Sequence, residues 1–225
     1  MPNQFLGNNW ITQLPESVQA AIVAKMRPKQ CARGEVVYHE GELPDAFWQV
    51  ISGSIRLTNI STDGKEVVFA IFTHGDCLGE ISIIDGKPAS NTATAVEPVE
   101  LQEISRKDFN SLNQTYPQIS HQLNLLLTQR MRHMIRFYED IALRPQETRL
   151  AHRLCYLTGN LPRKNSAIPA TIEIKLTQQD IAAMLGASRQ SISKILNQWQ
   201  DNDIIQIEYG RIIILDANYL TALAQ

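Results

Sequence analysis

The stretch LTQQDIAAMLGASRQSISKILNQW, residues 176–199, decides the fold of the C-terminal part of the chain. Thr177, followed three residues later by Asp180, forms a capping-box pattern that predicts the start of a helix. Gly186 stands where that helix must end in a left-handed turn, and Ser188 predicts the N-cap of a second helix. Two short helices joined by a glycine-containing turn define a helix-turn-helix.

The two predicted helices have distinct inner and outer faces. The inner faces carry the apolar residues Ile181, Ala182, Leu185, Ile192, Ile195, Leu196 and Trp199. The residues predicted on the outer face, in the first half of the second helix, are polar or basic and none is acidic, and arginine, glutamine and lysine side chains pair with guanine, adenine and phosphate. We therefore predict a double-stranded DNA interface, the alternative being a helical hairpin with a polar surface. The predicted contacts are Thr177, Gln178, Ser188, Arg189, Gln190, Ser191, Ser193 and Lys194.

A pair of short apolar runs follows the helix-turn-helix. Residues Ile204–Ile207 and Ile212–Leu215 predict two strands around the turn Glu208-Tyr209-Gly210-Arg211. Such a hairpin forms a wing, whose tip lies near the phosphate backbone. Arg211 is predicted either to contact a phosphate or to be a solvated turn charge.

The N-terminal half has a different pattern, with short apolar runs between about residues 30 and 104 broken by glycines. Many short strands at this spacing predict an all-β sandwich or barrel. Residues Thr62–Lys65 contain an Asp-Gly hairpin signal, and a short helix is expected from Leu14-Pro15 to about Lys25. The predicted strands are Val36–Tyr38, Phe47–Ile51, Ile55–Leu57, Val67–Phe72, Thr92–Val96 and Val99–Ile104.

A helical pattern runs from Tyr116-Pro117 to about Ala142 and carries a heptad-like apolar seam. A helix of about 25 residues spans roughly 37 Å, more than a small β-domain needs, so we predict a dimer interface; a helix packed only on its own domain is the alternative. The seam comprises Leu123, Leu127, Met131, Met134, Tyr138 and Ile141, with Ile119 upstream. Pro145 ends this helix. The predicted domains are 1–115, 116–143 and 144–225, and the last opens with a helix from Glu147 to Leu157 and the loop Thr158–Asn160.

Composition limits the class of protein. The 225 residues carry a net charge of −2 and are 44% hydrophobic, as expected for a soluble protein, with no apolar run long enough to span a bilayer and no secretory signal pattern. The odd, widely spaced Cys31, Cys77 and Cys155 fit a reducing cytoplasm. Residues 1–143 carry a net charge of −4 and residues 144–225 a net charge of +2, which permits DNA binding in the second part.

The order of these parts resembles the cyclic-AMP receptor protein/FNR (Crp/Fnr) family of bacterial transcription regulators, over roughly residues 10–218. Residues 34–42, 47–56 and 175–196 carry the resemblance. It implies an α+β fold with a cyclic-nucleotide-binding-like β-roll, a long dimerisation helix and a C-terminal winged helix-turn-helix. It also implies a homodimer on a palindromic operator and contact with RNA polymerase if the protein is an activator. The sequence shows no Ser/His/Asp set, metal-ligand spacing or phosphate-binding loop, so no enzymatic activity is expected.

The resemblance also assigns a ligand cassette. Gly79 and Glu80 match the residues that hold the ribose of cyclic AMP, and Ser90 matches a hydroxyl on its phosphate. Ala89 stands where cyclic-AMP binders have an arginine, and a buried phosphate needs a cation or many N–H donors. The candidate ligand-binding residues are Gly79, Glu80, Ser90, Asn91, Thr92, Met134 and Ile135, the last two replacing the threonine and serine that face adenine.

We therefore expect a sensor that does not bind cyclic AMP in the usual way and has a small-molecule effector of another kind or none. The alternatives are a cyclic-nucleotide-responsive regulator and a small-molecule-binding module without DNA activity.

Other sensor chemistries find little support. An iron–sulfur sensor of the FNR type needs four cysteines, most near the N-terminus, where only Cys31 lies. His39, His74 and Cys77 are the candidates for a haem ligand, and each is also explained as a surface or structural residue. Redox sensing by one thiol stays open, no metal site is expected, and His152 is interpreted as structural rather than catalytic.

The recognition residues imply a specific operator. Arg189 and Lys194 match two basic readers of the family, whereas Gln190 stands where the family usually has glutamate. A glutamate side chain accepts a hydrogen bond from cytosine, whereas a glutamine side chain pairs preferentially with adenine. We predict a half-site that differs from that of the cyclic-AMP receptor at this base.

Overall fold

The computed structural model describes residues 9–157, 171–172, 177–208 and 211–224. They form two compact units, one ending at Arg132 and the other beginning at His133. The loop predicted at Thr158–Asn160 and the turn Tyr209–Gly210 lie outside the described residues, as does the side chain of Arg211, so the role of Arg211 stays a prediction.

The first unit begins with a 3-10 turn, Trp10–Gln13, and helix α1, Glu16–Val23. Its short strands confirm the β-rich prediction. They are β1 (Arg27–Cys31), β2 (Val36–Tyr38), β3 (Ala46–Ser52), β4 (Ile55–Ile60), β5 (Glu66–Phe72), β6 (Cys77–Leu78), β7 (Thr92–Ala95) and β8 (Val99–Ser105). Helix α2, Glu80–Asp85, separates β6 from β7, and α3, Arg106–Thr115, follows β8.

These strands form two antiparallel sheets, in the orders β1-β8-β3-β6 and β2-β7-β4-β5. A core of buried side chains includes Val50 and Leu101 from the first sheet and Ile55 and Ala93 from the second. Leu78, at the end of β6, and Ala89, in the segment between β6 and β7, belong to the same core, so the predicted cassette lies beside it.

A second core joins the helices of this unit to the β-roll. Trp10, Phe47 and Phe109 pack with ring centroids 5.4–6.5 Å apart, and the start of helix α4, Gln118–Leu143, closes the cluster. Leu123 belongs to this core and is 3% exposed. Its assignment to the dimer seam is therefore wrong, because its side chain is already buried within its own chain.

The second unit contains the remaining elements. They are α5 (Gln146–Leu157), β9 (Thr171–Ile172), α6 (Gln178–Leu185), α7 (Arg189–Asp201), β10 (Ile205–Glu208), β11 (Arg211–Ile214) and α8 (Ala217–Leu223). The strands form an antiparallel sheet in the order β10-β11-β9, which confirms the predicted hairpin after the helix-turn-helix. His152 of α5 contacts the Asp140 carboxylate, 2.8 Å from Nδ1, and the carbonyl of Ala224.

Candidate DNA-binding and effector sites

The helix-turn-helix forms as its sequence predicts. The Thr177 hydroxyl accepts from the backbone N–H of Asp180 at 3.1 Å, and the Asp180 carboxylate accepts from the N–H of Thr177 at 3.0 Å. Helix α6 ends at Gly186 with φ +61°, a conformation that glycine adopts without steric cost. These local contacts fix where α6 begins and ends.

Helix α7 is anchored on its inner face. Ile192, Leu196 and Trp199 are fully buried, whereas the predicted inward residue Ile195 is half-buried. The indole N–H of Trp199 donates to Glu147 Oε1 at 2.8 Å, so the largest apolar side chain also has its polar atom satisfied. This packing directs the opposite face of α7 to solvent.

The outer face of α7 forms a shallow concave surface, which we call the reading surface. Arg189, Gln190 and Lys194 are exposed on it. Four further residues were not selected from the sequence: Asn197, Gln198 and Asp201 lie in the last half of α7 and Asn202 just after it, and Asp201 places an acidic side chain at this end of the surface. The reading surface is lined by Gln178, Arg189, Gln190, Ser193, Lys194, Asn197, Gln198, Asp201 and Asn202.

Three of the four hydroxyls predicted to contact DNA, those of Thr177, Ser188 and Ser191, already have intramolecular partners. Ser188 Oγ accepts from the N–H of Ser191 at 3.1 Å, which confirms it as the N-cap of α7. The Ser191 hydroxyl donates to the carbonyl of Ser188 at 2.9 Å, and that of Thr177 lies 2.7 Å from Asp180 Oδ2. A direct DNA contact by these three residues stays a prediction.

The predicted ligand cassette surrounds the start of α2. Gly79 has φ +90°, and a Cβ there would lie 3.0 Å from the Trp48 ring, so both conformation and space require glycine. Glu80 is 1% exposed, and its Oε1 lies 2.8 Å from Arg130 Nη2. Arg130 also donates to the carbonyl of Cys77 at 3.2 Å.

The pairing of Glu80 with Arg130 escaped the sequence analysis because Arg130 lies on α4, 50 residues along the chain. Aromatic side chains lie close to the pair. The guanidinium lies 5.8 Å from the centre of the Phe72 ring, and burial, assisted by the Glu80 charge, raises the pKa of the Tyr38 phenol. A buried carboxylate of this kind requires a cation, and Arg130 supplies it.

The end of the cassette is hydrogen-bonded to the residues at and just after the end of β2. Ala89 is 7% exposed. The Thr92 hydroxyl accepts from the N–H of Glu40 at 3.0 Å, and Asn91 Oδ1 accepts from the Tyr38 hydroxyl at 3.4 Å. Ser90 is exposed. The structure thus places Gly79, Glu80 and residues 89–92 in one unit, whereas Met134 and Ile135 lie beyond Arg132, in the second unit.

A second buried carboxylate lies next to the cassette. Asp76 is 5% exposed and accepts from the N–H of Thr73 at 2.8 Å. Burial raises the pKa of this carboxyl to about 6, although the Thr73 N–H and the Arg130 charge oppose the rise. Its protonated form is therefore favoured in the folded state at mildly acidic pH.

The residues considered for haem or thiol chemistry have structural environments. The thiol of Cys77 is fully buried, and burial raises its pKa well above the usual range, which disfavours the thiolate. His74 Nδ1 contacts the carbonyl of Ile51 at 2.7 Å, and His39 is exposed. In the described part of the chain, His, Cys, Asp and Glu side chains form no group of three or more that could hold a metal ion.

Comparison with known proteins agrees with this arrangement. A model of the cyclic nucleotide-binding domain matches residues 28–116, and one of the Crp-like helix-turn-helix domain matches residues 148–223. A CRP-like cAMP-activated global transcriptional regulator of Mycobacterium tuberculosis is 30% identical over 210 residues, which are 93% of this chain and 93% of that protein. The cyclic AMP receptor protein of Thermus thermophilus is 26% identical with the same coverage of 93% of each chain.

Solved structures share the fold. FixK2 from Bradyrhizobium japonicum has a TM-score of 0.78 at 18% identity and covers 89% of this chain and 98% of its own. A CooA mutant from Carboxydothermus hydrogenoformans has a TM-score of 0.76 at 18% identity, covering 96% of this chain and 94% of its own. With both domain types matched in order and a relative aligned along nearly its full length, the chain belongs to the Crp/Fnr family of DNA-binding transcription regulators.

Proposed function

We propose that this regulator reads a palindromic operator through Arg189, Gln190 and Lys194. The observation that carries the proposal is the reading surface, where these side chains are exposed at and near the N-terminal end of a helix anchored by buried Trp199. Arginine and lysine pair with guanine or phosphate, and glutamine pairs with adenine. Ser193 and Gln178 line the same surface and extend the contact.

We further propose that the protein acts as a homodimer held together by the seam on α4. Met131, Met134 and Tyr138 are 66%, 55% and 73% exposed, and Ile141 is 45% exposed. Leu127 is half-buried and begins the seam. Apolar side chains at this spacing pack against a second copy of the same helix, and a symmetric pair of recognition helices reaches major grooves about 34 Å apart.

The sensor is proposed not to bind cyclic AMP in the usual way, although the relatives described above are named for cyclic AMP. Ala89 supplies no charge where the phosphate would lie, and the half-buried Arg130 is paired with Glu80, with Nη2 2.8 Å from Oε1. A phosphate placed there would lack the charged partner that offsets its desolvation. The effector is then a small molecule of other chemistry, or the protein acts without one.

The cellular setting follows from the family. A bacterial transcription regulator acts in the cytoplasm, where the DNA is, and we propose this location and a regulatory rather than a catalytic role for the chain. If it is an activator, we propose that it also contacts RNA polymerase. Within the residues that the structure describes, no helix is long and apolar enough to cross a membrane.

Selection from randomised duplexes with the purified protein tests the proposed function. We expect recovery of an inverted repeat with an adenine at the base that faces Gln190. Gln190→Glu is the matched variant, and its selected sites should carry cytosine at that base. Recovery of no inverted repeat, or of cytosine by the unaltered protein, would contradict the proposal.

A further inference from the structure

The first turn of α5 is bonded to both helices of the helix-turn-helix. Gln146 Nε2 donates to Ser191 Oγ at 2.8 Å, and Glu147 accepts from Trp199 at 2.8 Å. Arg149 donates to the carbonyl of Leu185, at the C-terminal end of α6. Gln146 therefore contacts the end of α7 that presents the reading residues, while the other two contacts lie further from it.

The Gln146 contact completes the hydrogen bonding of Ser191. The Ser191 hydroxyl donates its only proton to the carbonyl of Ser188 at 2.9 Å, and its oxygen accepts from Gln146. Ser188 Oγ lies 2.9 Å from the same oxygen and also accepts the Ser191 N–H. A serine hydroxyl has one donor and two lone pairs, so Ser191 is fully used in holding the first turn of α7.

The position of Gln146 in the chain connects this contact to the junction between α4 and α5. Gln146 is the first residue of α5 and follows Pro145, which stands just after the end of α4 at Leu143. Arg189 and Gln190 lie directly after the cap Ser188. A change in the backbone at Pro145 is therefore passed by one side chain to the turn that carries the base-reading residues.

We propose that Gln146 is a positioning residue for DNA reading: through Ser191 it holds the N-terminal turn of α7 in the orientation that base recognition needs. The inference rests on the proposed function of the reading surface. Bidentate base contacts depend on orientation, whereas non-specific binding depends on charge. Gln146 carries no charge, so it acts on specificity alone.

A double-mutant cycle on operator binding by the full-length protein tests this proposal. Gln146→Ala should weaken binding to the selected operator about 3- to 10-fold, the value of one lost hydrogen bond. Binding to an unrelated duplex and the dependence of affinity on salt should stay unchanged. In a Ser191→Ala background, Gln146→Ala should have little further effect, because the group through which it acts is gone.

Gln179→Ala is the matched control, since Gln179 is exposed on α6, and thermal unfolding of every variant separates loss of fold from loss of reading. The proposal is overturned if Gln146→Ala leaves the ratio of specific to non-specific affinity unchanged. It is equally overturned if the effects of Gln146→Ala and Ser191→Ala on operator affinity simply add. Absence of any specific operator for the unaltered protein would instead overturn the proposed function itself.

Discussion

The reading surface on α7 and the cassette at α2 use their charges in opposite ways. Arg189 and Lys194 extend into solvent, where a nucleic acid reaches them without breaking an internal contact. Glu80 is 1% exposed and is ion-paired with Arg130, so a ligand that needed either charge as its own counterion would compete with this pair. The cationic side chains at the start of α7 are thus accessible, whereas the charges of Glu80 and Arg130 are paired with each other.

The largest expected effect tests whether the reading surfaces of the two subunits of the proposed dimer bind the operator together. Tyr138→Glu places a charge in the exposed seam of α4, so the dimer should dissociate, because the carboxylate would be desolvated in an apolar interface. Loss of the second half-site contact should weaken operator binding about 10²- to 10⁴-fold. Sedimentation and operator titration measure both results.

Gln129→Glu is the control for the seam, because Gln129 is exposed on α4 and lies off the seam. It should leave both properties unchanged. A Tyr138→Glu protein that still sediments as a dimer and binds the operator as before would disprove the seam.

The next effect concerns the buried pair in the sensor. Arg130→Met leaves the Glu80 carboxylate buried without its cation and should lower the free energy of unfolding by about 3–5 kcal/mol. Chemical unfolding in a Trp199→Phe background measures it, since Trp10 and Trp48 then both report on the first unit. Adding Glu80→Leu to Arg130→Met should recover most of the lost free energy of unfolding. A loss below about 1 kcal/mol in the Arg130→Met variant alone would show that the pair is unimportant to stability.

The buried pair also marks the limit of sequence reasoning. Thr177, Gly186 and Ser188 were predicted correctly because their partners lie within a few residues of each of them. Arg130 could not be paired with Glu80, since their contact depends on how α4 packs on the β-roll. Leu123 was misassigned for the same reason: a helical stripe does not reveal which of its residues is buried within the same chain.

Two elements, β1 and α3, were not predicted from the sequence, because neither has the regular apolar spacing of the predicted strands and helices. Strand β1, Arg27–Cys31, buries only Cys31, so it shows no apolar alternation and is held by its pairing with β8. Helix α3 is mostly polar and buries Phe109 and Leu112. Pairing with β8 forms β1, whereas α3 has a local start signal that was overlooked: the Ser105 hydroxyl caps the helix by accepting from the N–H of Asp108 at 3.1 Å.

A smaller effect is expected from the pH dependence of Asp76. Its pKa of about 6 in the folded state exceeds the ordinary value of 3.8. The folded state therefore binds more protons between these values, and the stability that this group contributes is full below pH 4 and lost as the pH rises through 6. Asp76→Asn should remove that dependence.

The comparison is made between the two proteins at each pH, which cancels the other titrating groups. Between pH 4 and pH 7, the free energy of unfolding of Asp76→Asn should rise relative to the unaltered protein by up to about 3 kcal/mol. Parallel stability curves for the two proteins would contradict the assignment.

Arg189→Ala probes a single contact of the reading surface. Loss of one bidentate base contact should weaken binding to the selected operator by about 1–3 kcal/mol and relax selectivity at one base pair. Competition titrations with single-base operator variants measure both effects. Unchanged affinity and selectivity would remove Arg189 from the set of base readers.

The contrast between the exposed reading surface and the internally paired charges of the sensor is tested most directly by operator affinity with and without cyclic AMP. A ligand shifts an equilibrium only by its difference in affinity for the two states. We expect the protein to bind the selected operator tightly and specifically. Its affinity for the operator should stay unchanged when cyclic AMP is added, even at concentrations that saturate a cyclic-AMP receptor. A tenfold or greater tightening with cyclic AMP would contradict it and would show that a phosphate is held without an arginine at position 89.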